Sequence, residues 1–144
     1  METVILDTNE VMLFLYKDVG LLWEHKLTKP EYRDKISLNK NKKLSNFIKQ
    51  KSETITYYIT NHNELNETQK IPINTFILIE CSGQTRIGSL LKHIRNSIMH
   101  GRYTISFPGD EVILAMEDVN NRNKITMRGN ITLTRLKELI DIVS

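Results

Sequence analysis

Residues 85–107 read TRIGSLLKHIRNSIMHGRYTISF, and the hydrophobic pattern of the chain changes within this segment, near Gly101. Up to Gly101 the apolar residues recur three or four positions apart, as they do on one face of a helix. Beyond it they alternate with polar residues, as they do on a half-buried strand. Glycine is common just after the last turn of a helix, because it adopts the left-handed conformation without strain. The segment therefore predicts a helix over about residues 85–100, followed directly by strands.

Upstream of this helix, the spacing of apolar residues predicts three further helices. The first begins after Asp7, because Asp7 and Glu10 have the spacing of a capping box, and it extends to about residue 22. The second covers about residues 41–59, where the same spacing recurs. A third begins at Pro72, since proline suits the first turn of a helix. The N-terminal part of the chain is thus predicted to be helical.

Downstream of Gly101, alternating apolar residues and two turns predict an antiparallel β-meander. The turns are Pro108-Gly109-Asp110 and the Asn- and Arg-rich residues 120–123. From about residue 133 onward the apolar residues return to helical spacing, which predicts a C-terminal helix. The pattern as a whole predicts one mainly α domain, residues 1–144, in which helices dominate and a small sheet is attached.

The composition is that of a soluble globular chain. It has 144 residues, of which 40% are hydrophobic and 26% charged, enough for one domain with its own core. The net charge of +3 permits contact with nucleic acid without requiring it. A single cysteine, Cys81, excludes an internal disulfide and a thiolate zinc site, and we expect it to be a small buried hydrophobe. No apolar run could cross a membrane and no basic leader opens the chain, so we expect a cytoplasmic protein without membrane contact.

The fourth predicted helix contains a concentrated cluster of polar side chains. At about 100° per residue, its apolar residues fall on one face, namely Ile87, Leu91, Ile94 and Ile98. His93, Asn96 and His100 cluster on the opposite side. Arg95 lies about 140° around the helix from His100, so one straight helix cannot direct both at the same atom. Either the helix unwinds near its end or a second copy completes the site, and this geometry favours a homodimer.

Two histidines, an asparagine and an arginine form a set that could cleave a phosphodiester. Histidine acts as a general acid or base near neutral pH, and a guanidinium can hold a phosphate and stabilise the charge that develops on it. RNA supplies its own nucleophile, the 2′-hydroxyl, so this chemistry needs no metal. A polar helix face of this composition also occurs where a helix is simply solvated. Spacing alone leaves both interpretations open.

The segment Arg95-Asn96-Ser97-Ile98-Met99-His100 resembles the Arg-x(4–6)-His motif of the HEPN superfamily, in which the residue after the arginine is typically polar. HEPN proteins have a similar size, form antiparallel helical bundles and commonly dimerise with two motifs facing each other. Many are metal-independent endoribonucleases of toxin–antitoxin, phage-defence or RNA-processing systems. The resemblance implies a HEPN-like antiparallel helical bundle, to which the small antiparallel β-meander after the motif helix and the C-terminal helix are added.

The resemblance also implies roles for three residues. Arg95 and His100 would be catalytic, and Asn96 would support them. Neighbouring polar residues are added as RNA contacts, namely His93, Lys92 and Arg102. HEPN toxins that pair with a nucleotidyltransferase antitoxin often have a tyrosine two places after the histidine, whereas Tyr103 lies three places after His100. Tyrosine modification by such an antitoxin is therefore not implied.

We expect a metal-independent endoribonuclease without cofactors that acts as a homodimer on RNA, in a toxin–antitoxin or antiviral defence setting. An antitoxin or a larger defence complex would be a further partner. Attack of the 2′-hydroxyl would leave 2′,3′-cyclic phosphate and 5′-hydroxyl ends. The alternative is a non-catalytic HEPN-like module that dimerises, or binds RNA or protein, through the same helix face. Arg122, Lys124 and Arg128 could add phosphate contacts, although a solvated surface is the simpler interpretation.

Overall fold

The computed structural model describes residues 8–21, 23, 29, 35–49, 55–60, 65–66, 68–82 and 84–143. These residues form five helical segments and five strands, interleaved along the chain. In chain order they are helix α1 (Thr8–Phe14), a π-helix that continues it (Leu15–Leu21), helix α2 (Lys42–Lys49), strands β1 (Thr56–Ile59) and β2 (Thr75–Leu78), helix α3 (Arg86–Met99), strands β3 (Tyr103–Ser106), β4 (Ile113–Val119) and β5 (Ile125–Thr132), and helix α4 (Leu133–Val143).

The five strands form one mixed sheet in the order β1-β2-β5-β4-β3. Strands β3, β4 and β5 pair antiparallel, β5 also pairs antiparallel with β2, and β2 pairs parallel with β1. Along β4 the side chains alternate between the two faces of the sheet. Leu114, Met116 and Asp118 are buried on the face that packs against α3, whereas Ala115 and Glu117 are only half-buried on the other face. The sheet therefore covers one side of α3.

The hydrophobic core surrounds α3. Leu90, Leu91 and Ile94 have no exposed surface, and α3 packs against β4 and β2 on one side and against the π-helix on another. Gly20 of the π-helix lies so close to α3 that a side chain in its place would meet the sulfur of Met99. Because α3 is enclosed on two sides, only a narrow stripe of its surface is left for contact with other molecules.

Both ends of α3 are fixed by specific hydrogen bonds, and its predicted extent is confirmed. The Thr85 hydroxyl accepts a hydrogen bond from the Gly88 N–H at 3.0 Å, as an N-cap does. At the other end, the Gly101 N–H donates to the Ile98 carbonyl and the Arg102 N–H donates to the Ser97 carbonyl, at 3.1 and 2.7 Å. Gly101 has φ +67°, the left-handed conformation that this Schellman ending requires.

The prediction of a mainly α-helical, antiparallel bundle is wrong, because the chain forms a five-stranded mixed sheet with short helices around it. Two segments predicted to be helical are strands. The second predicted helix, residues 41–59, ends as α2 at Lys49 and contains β1 near its end, and the third is replaced by β2. Both strands are only four residues long, each a threonine followed by three apolar residues. So short a run does not distinguish the period of a helix from that of a strand.

The other helices and strands predicted from the sequence agree with the structure. The first helix begins at Thr8 as expected, although its second half is π-helical. The antiparallel meander of β3, β4 and β5 and the C-terminal helix α4 are confirmed. Among the helices of the described residues, none has the length and apolar character needed to cross a lipid bilayer.

Candidate functional site

His93 lies on the polar side of α3, but this side faces the sheet and His93 is only 4% exposed. Its Nδ1 lies 2.7 Å from Oδ2 of Asp118, and its Nε2 lies 2.7 Å from the Ile79 carbonyl oxygen. Both partners are acceptors, so the doubly protonated ring satisfies both contacts. Burial lowers the pKa of His93, but hydrogen bonds to Asp118, Cys81 and the Ile79 carbonyl outweigh it and raise the pKa to about 9. His93 is therefore a charged member of a buried ion pair at neutral pH.

Asp118 is a site residue that the sequence analysis missed. It lies on β4 in phase with Leu114 and Met116, and it is 4% exposed. A carboxylate at an inward-facing strand position requires a buried partner, because burying an unpaired charge is costly. The position of Asp118 among inward-facing apolar residues was therefore the one signal in the sequence that it belongs to a buried polar site. The residue pattern of β4 does not identify the partner, because His93 belongs to α3.

Asn96 connects the ion pair to Arg95. Its Nδ2 donates to Oδ2 of Asp118 at 3.3 Å, and its Oδ1 accepts hydrogen bonds from Nη2 and Nε of Arg95 at 2.7 and 3.2 Å. The amide thus has its donor toward a carboxylate and its acceptor toward a guanidinium, which fixes its orientation chemically. Arg95, Asn96, Asp118 and His93 form one continuous hydrogen-bonded chain.

A cavity of about 510 Å³ lies beside this chain. Four of the six predicted site residues line it, namely Lys92, His93, Asn96 and His100. His100 is exposed at the C-terminal end of α3, and Lys92 is half-buried two turns earlier. The turn between β4 and β5 forms a further wall with Asn120, Asn121 and Arg122. The structure therefore assembles a polar cavity from α3 and from a turn whose role in it was not predicted.

Arg95 and Arg102 do not line this cavity. Arg95 is half-buried and reaches it only through its hydrogen bonds to Asn96. Arg102 is exposed and lines a second concavity of about 470 Å³, together with Glu117 and Arg128 of the neighbouring strands. The structure thus groups five of the six predicted residues around one cavity or one hydrogen-bonded chain and separates Arg102 from them.

The expectation that Cys81 is a buried hydrophobe is wrong. Its thiol is only half-buried and lines the cavity, with Sγ 3.5 Å from Nε2 of His93. Burial raises the pKa of this thiol, but the hydrogen bond and charge of His93 and the charge of Lys92 outweigh burial and lower it. Cys81 follows an apolar run in the sequence, but β2 ends at Leu78, and Cys81 lies three residues beyond it in the cavity wall. Within the described part of the chain, no group of three or more His, Cys, Asp or Glu side chains is placed to hold a metal ion.

A family model described as HEPN pEK499 p136 matches residues 8–143. The chain belongs to this HEPN family. The resemblance drawn from the Arg95–His100 segment is thereby confirmed at the level of the superfamily. HEPN domains are often ribonucleases and commonly dimerise. Comparison with curated proteins gives no match, and comparison with solved structures gives none either.

In this HEPN chain the two ends of the motif have different surroundings. Helix α3 is uninterrupted up to Met99, so unwinding does not bring Arg95 and His100 together. His100 lines the cavity, whereas the Arg95 guanidinium is held against Asn96 outside it. Within one chain the Arg95 side chain is hydrogen-bonded to Asn96, and it does not line the cavity wall that His100 forms. For a reaction that needs both groups at one atom, this arrangement favours a second copy of the motif.

Proposed function

We propose that the chain is a metal-independent HEPN endoribonuclease that cleaves RNA as a homodimer. The observation that supports this function is the hydrogen-bonded chain from Arg95 through Asn96 and Asp118 to His93. It holds the motif arginine and the motif asparagine in fixed positions beside a cavity that His100 lines. A solvated helix face would not need a buried ion pair beneath it. A role in a toxin–antitoxin or antiviral defence system is the corresponding biological proposal.

His100 is the group proposed to transfer protons. Histidine is the side chain best suited to taking and giving a proton near neutral pH, and His100 is exposed in the cavity wall. His93 does not suit this role, because Asp118 and the Ile79 carbonyl occupy both of its ring N–H groups. We assign His93 and Asp118 a positioning role, in which they hold Asn96 and, through it, Arg95.

The proposed reaction is an in-line attack of the 2′-hydroxyl on the adjacent phosphorus. His100 takes the 2′-hydroxyl proton while the bond from phosphorus to the 5′-oxygen breaks, and a water molecule protonates the leaving 5′-oxygen. The protonated histidine then gives its proton to the hydroxide that this leaves, so that the ring returns to its starting state. Arg95 of one copy would stabilise the negative charge on the non-bridging oxygens beside His100 of the other copy. The products are a 2′,3′-cyclic phosphate and a 5′-hydroxyl, and Asn96 keeps the guanidinium oriented throughout.

Cleavage of total RNA in the presence of EDTA tests this function. The wild-type protein is expected to cut RNA and to leave cyclic phosphate ends, which mapping of the new termini identifies. Arg95→Ala and His100→Ala are each expected to lower the rate by about a hundredfold or more, the usual cost of removing a proton-transfer group or a charge-stabilising group. Lys40→Ala, which removes an exposed cation far along the chain from the motif, is the matched control.

Two results would contradict the proposal. Full activity in His100→Ala would remove the assignment of that residue. RNA binding without any cutting by the wild-type protein would favour the non-catalytic module instead. Expression in cells provides an independent check, since growth arrest by the wild-type chain that disappears in the Arg95→Ala/His100→Ala double variant favours the enzyme over the binding module.

A further inference from the structure

The turn between β4 and β5, residues 120–124, forms one wall of the cavity that His100 lines. No residue of this turn has a role in the proposed cleavage. Asn120 organises this turn, because its Oδ1 accepts hydrogen bonds from the backbone N–H groups of Arg122 and Lys124 at 2.9 and 3.1 Å. The Asn120 N–H also donates to the Lys124 carbonyl at 2.9 Å. The turn thus has a defined shape, in which Asn120, Asn121 and Arg122 line the cavity and Lys124 does not.

The charges that line the cavity favour an anion. Lys92 of α3 and Arg122 of the turn both line it, and no salt bridge among the described residues involves either of them. The one carboxylate in the lining, Asp118, is matched by the charged ring of His93 at 2.7 Å. With that pair neutralised, two permanent cations and the exposed ring of His100 remain. A phosphate group fits this arrangement of charges.

The amide groups in the lining favour a ligand that is more than a phosphate. Asn121 brings an amide donor and acceptor to the cavity, beside the small side chains of Val119 and Thr126. Asn96 and Asn120 add Nδ2 donors only, because the Oδ1 atom of each already accepts two hydrogen bonds within the protein. Amide side chains are the groups that pair with the edges of nucleic-acid bases. The cavity volume of about 510 Å³ lies within the range of roughly 300–1,000 Å³ that is typical of small-molecule sites. One nucleotide, with its phosphate, ribose and base, matches both the volume and the chemistry.

We propose that this cavity binds one nucleotide of single-stranded RNA next to the scissile phosphate, with Lys92 and Arg122 on the phosphate and the three asparagines on the ribose and base. The subsite lies within one chain and includes no residue of a second copy. The proposal deepens the ribonuclease function and rests on it for the identity of the polymer as RNA. Asn120 and Asn121 would thereby contribute to which RNA the protein binds, whereas Lys92 and Arg122 would contribute affinity for any sequence.

Cys81 offers a readout of cavity occupancy that is independent of cleavage. It lines the cavity and is the only cysteine in the sequence, so iodoacetamide labels one thiol. The probe is a 2′-O-methyl oligonucleotide of mixed sequence, which cannot be cleaved because it lacks the nucleophilic hydroxyl. Saturating oligonucleotide is expected to slow alkylation of Cys81 about tenfold, and loss of either cation is expected to raise the midpoint of protection about fivefold to tenfold.

Arg122→Ala and Lys92→Ala are the test variants, and Lys124→Ala is the matched control. Lys124 has the same charge, lies in the same turn and does not line the cavity, so its loss is expected to shift the midpoint less than about twofold. Fluorescence anisotropy of the same oligonucleotide gives a second measurement that does not depend on the thiol. The expected order of affinities is wild type, then Lys124→Ala, then Arg122→Ala.

Equal effects of Arg122→Ala and Lys124→Ala in both measurements would overturn the proposal. So would protection by tripolyphosphate that equals protection by the oligonucleotide at the same concentration of charge, because the asparagines would then contribute nothing. Failure of the ribonuclease proposal is separate from both results, since it shows itself as uncut RNA and leaves binding of the uncleavable oligonucleotide unaffected.

Discussion

His93 and His100 lie on the same side of α3, yet the sheet covers one and leaves the other exposed. A helical wheel places them together, because it describes only the helix. It cannot show that β4 brings Asp118 to His93 and that the chain after β2 brings the Ile79 carbonyl. The burial of His93 leaves no ring N–H group for RNA, so its assignment as an RNA contact gains no support from the structure.

The raised pKa of His93 predicts how stability depends on pH. The charged ring is favoured in the folded state, where the pKa is about 9 compared with 6.5 for an unperturbed histidine. The ion pair therefore stabilises the fold fully below about pH 6.5, and this contribution is lost as the pH rises through about 9. We expect the free energy of unfolding to fall by up to about 3 kcal/mol over this window, as measured by urea denaturation.

Two variants test whether His93 causes this fall. His93→Gln and Asp118→Asn each remove one member of the pair and should be less stable near neutral pH, with a flatter profile between about pH 6.5 and 9. Cys81→Ser removes the neighbouring thiol, which is a second titratable group in contact with His93, and should keep most of the slope. A slope that persists unchanged in His93→Gln would show that other groups produce it.

At the scale of the elements, the sequence predicted those whose signals are local. Gly101 ends α3 as predicted, and Thr85, at the predicted start of the helix, is its N-cap. Strand β2 has no such local mark, because its buried position depends on pairing with β5, where Phe76 is opposite Gly129 more than 50 residues later. The residues of the candidate site fall into the same two groups, those with a local sequence signal and those without one. Arg95, Asn96 and His100 share one helix and were found together, whereas Asp118, Cys81 and Arg122 come from elements that only the fold brings near.

The contact between β2 and β5 depends on the absence of a side chain at Gly129. A methyl group there would overlap the ring of Phe76, which is fully buried. Gly129→Ala is therefore expected to lower the free energy of unfolding by about 1–3 kcal/mol, the usual cost of overpacking a core. In a double-mutant cycle measured by urea denaturation, Phe76→Leu should make this loss smaller than in the wild-type background. Additive losses would show that the ring is not the obstacle.

At the scale of the whole molecule, the separation of Arg95 from the His100 wall predicts complementation between two inactive variants. If Arg95 of one copy acts with His100 of the other, a mixed dimer of Arg95→Ala and His100→Ala retains one intact site of two. After unfolding and refolding at equal amounts, half of the dimers are mixed, so about a quarter of wild-type activity should return.

The same mixture made without refolding, at concentrations where dimers do not exchange, is the control and should stay inactive. Light scattering establishes that both variants are dimers. No recovery in a mixture shown to contain mixed dimers would indicate that each site needs its arginine and histidine from the same chain, or needs all four residues. Either result would replace the arrangement proposed here.

The Schellman ending of α3 has a consequence for the entropy of substrate binding. Only Gly101 and Arg102 separate His100 from β3, and the Arg102 carbonyl accepts a hydrogen bond from the Glu117 N–H of β4 at 3.0 Å. The His100 backbone is thereby anchored between a helix end and a sheet edge. The conformational freedom of this residue is lost when the chain folds and not when RNA arrives. Most of the freedom that remains at His100 is rotation of its side chain, so RNA binding has little backbone to order at this residue.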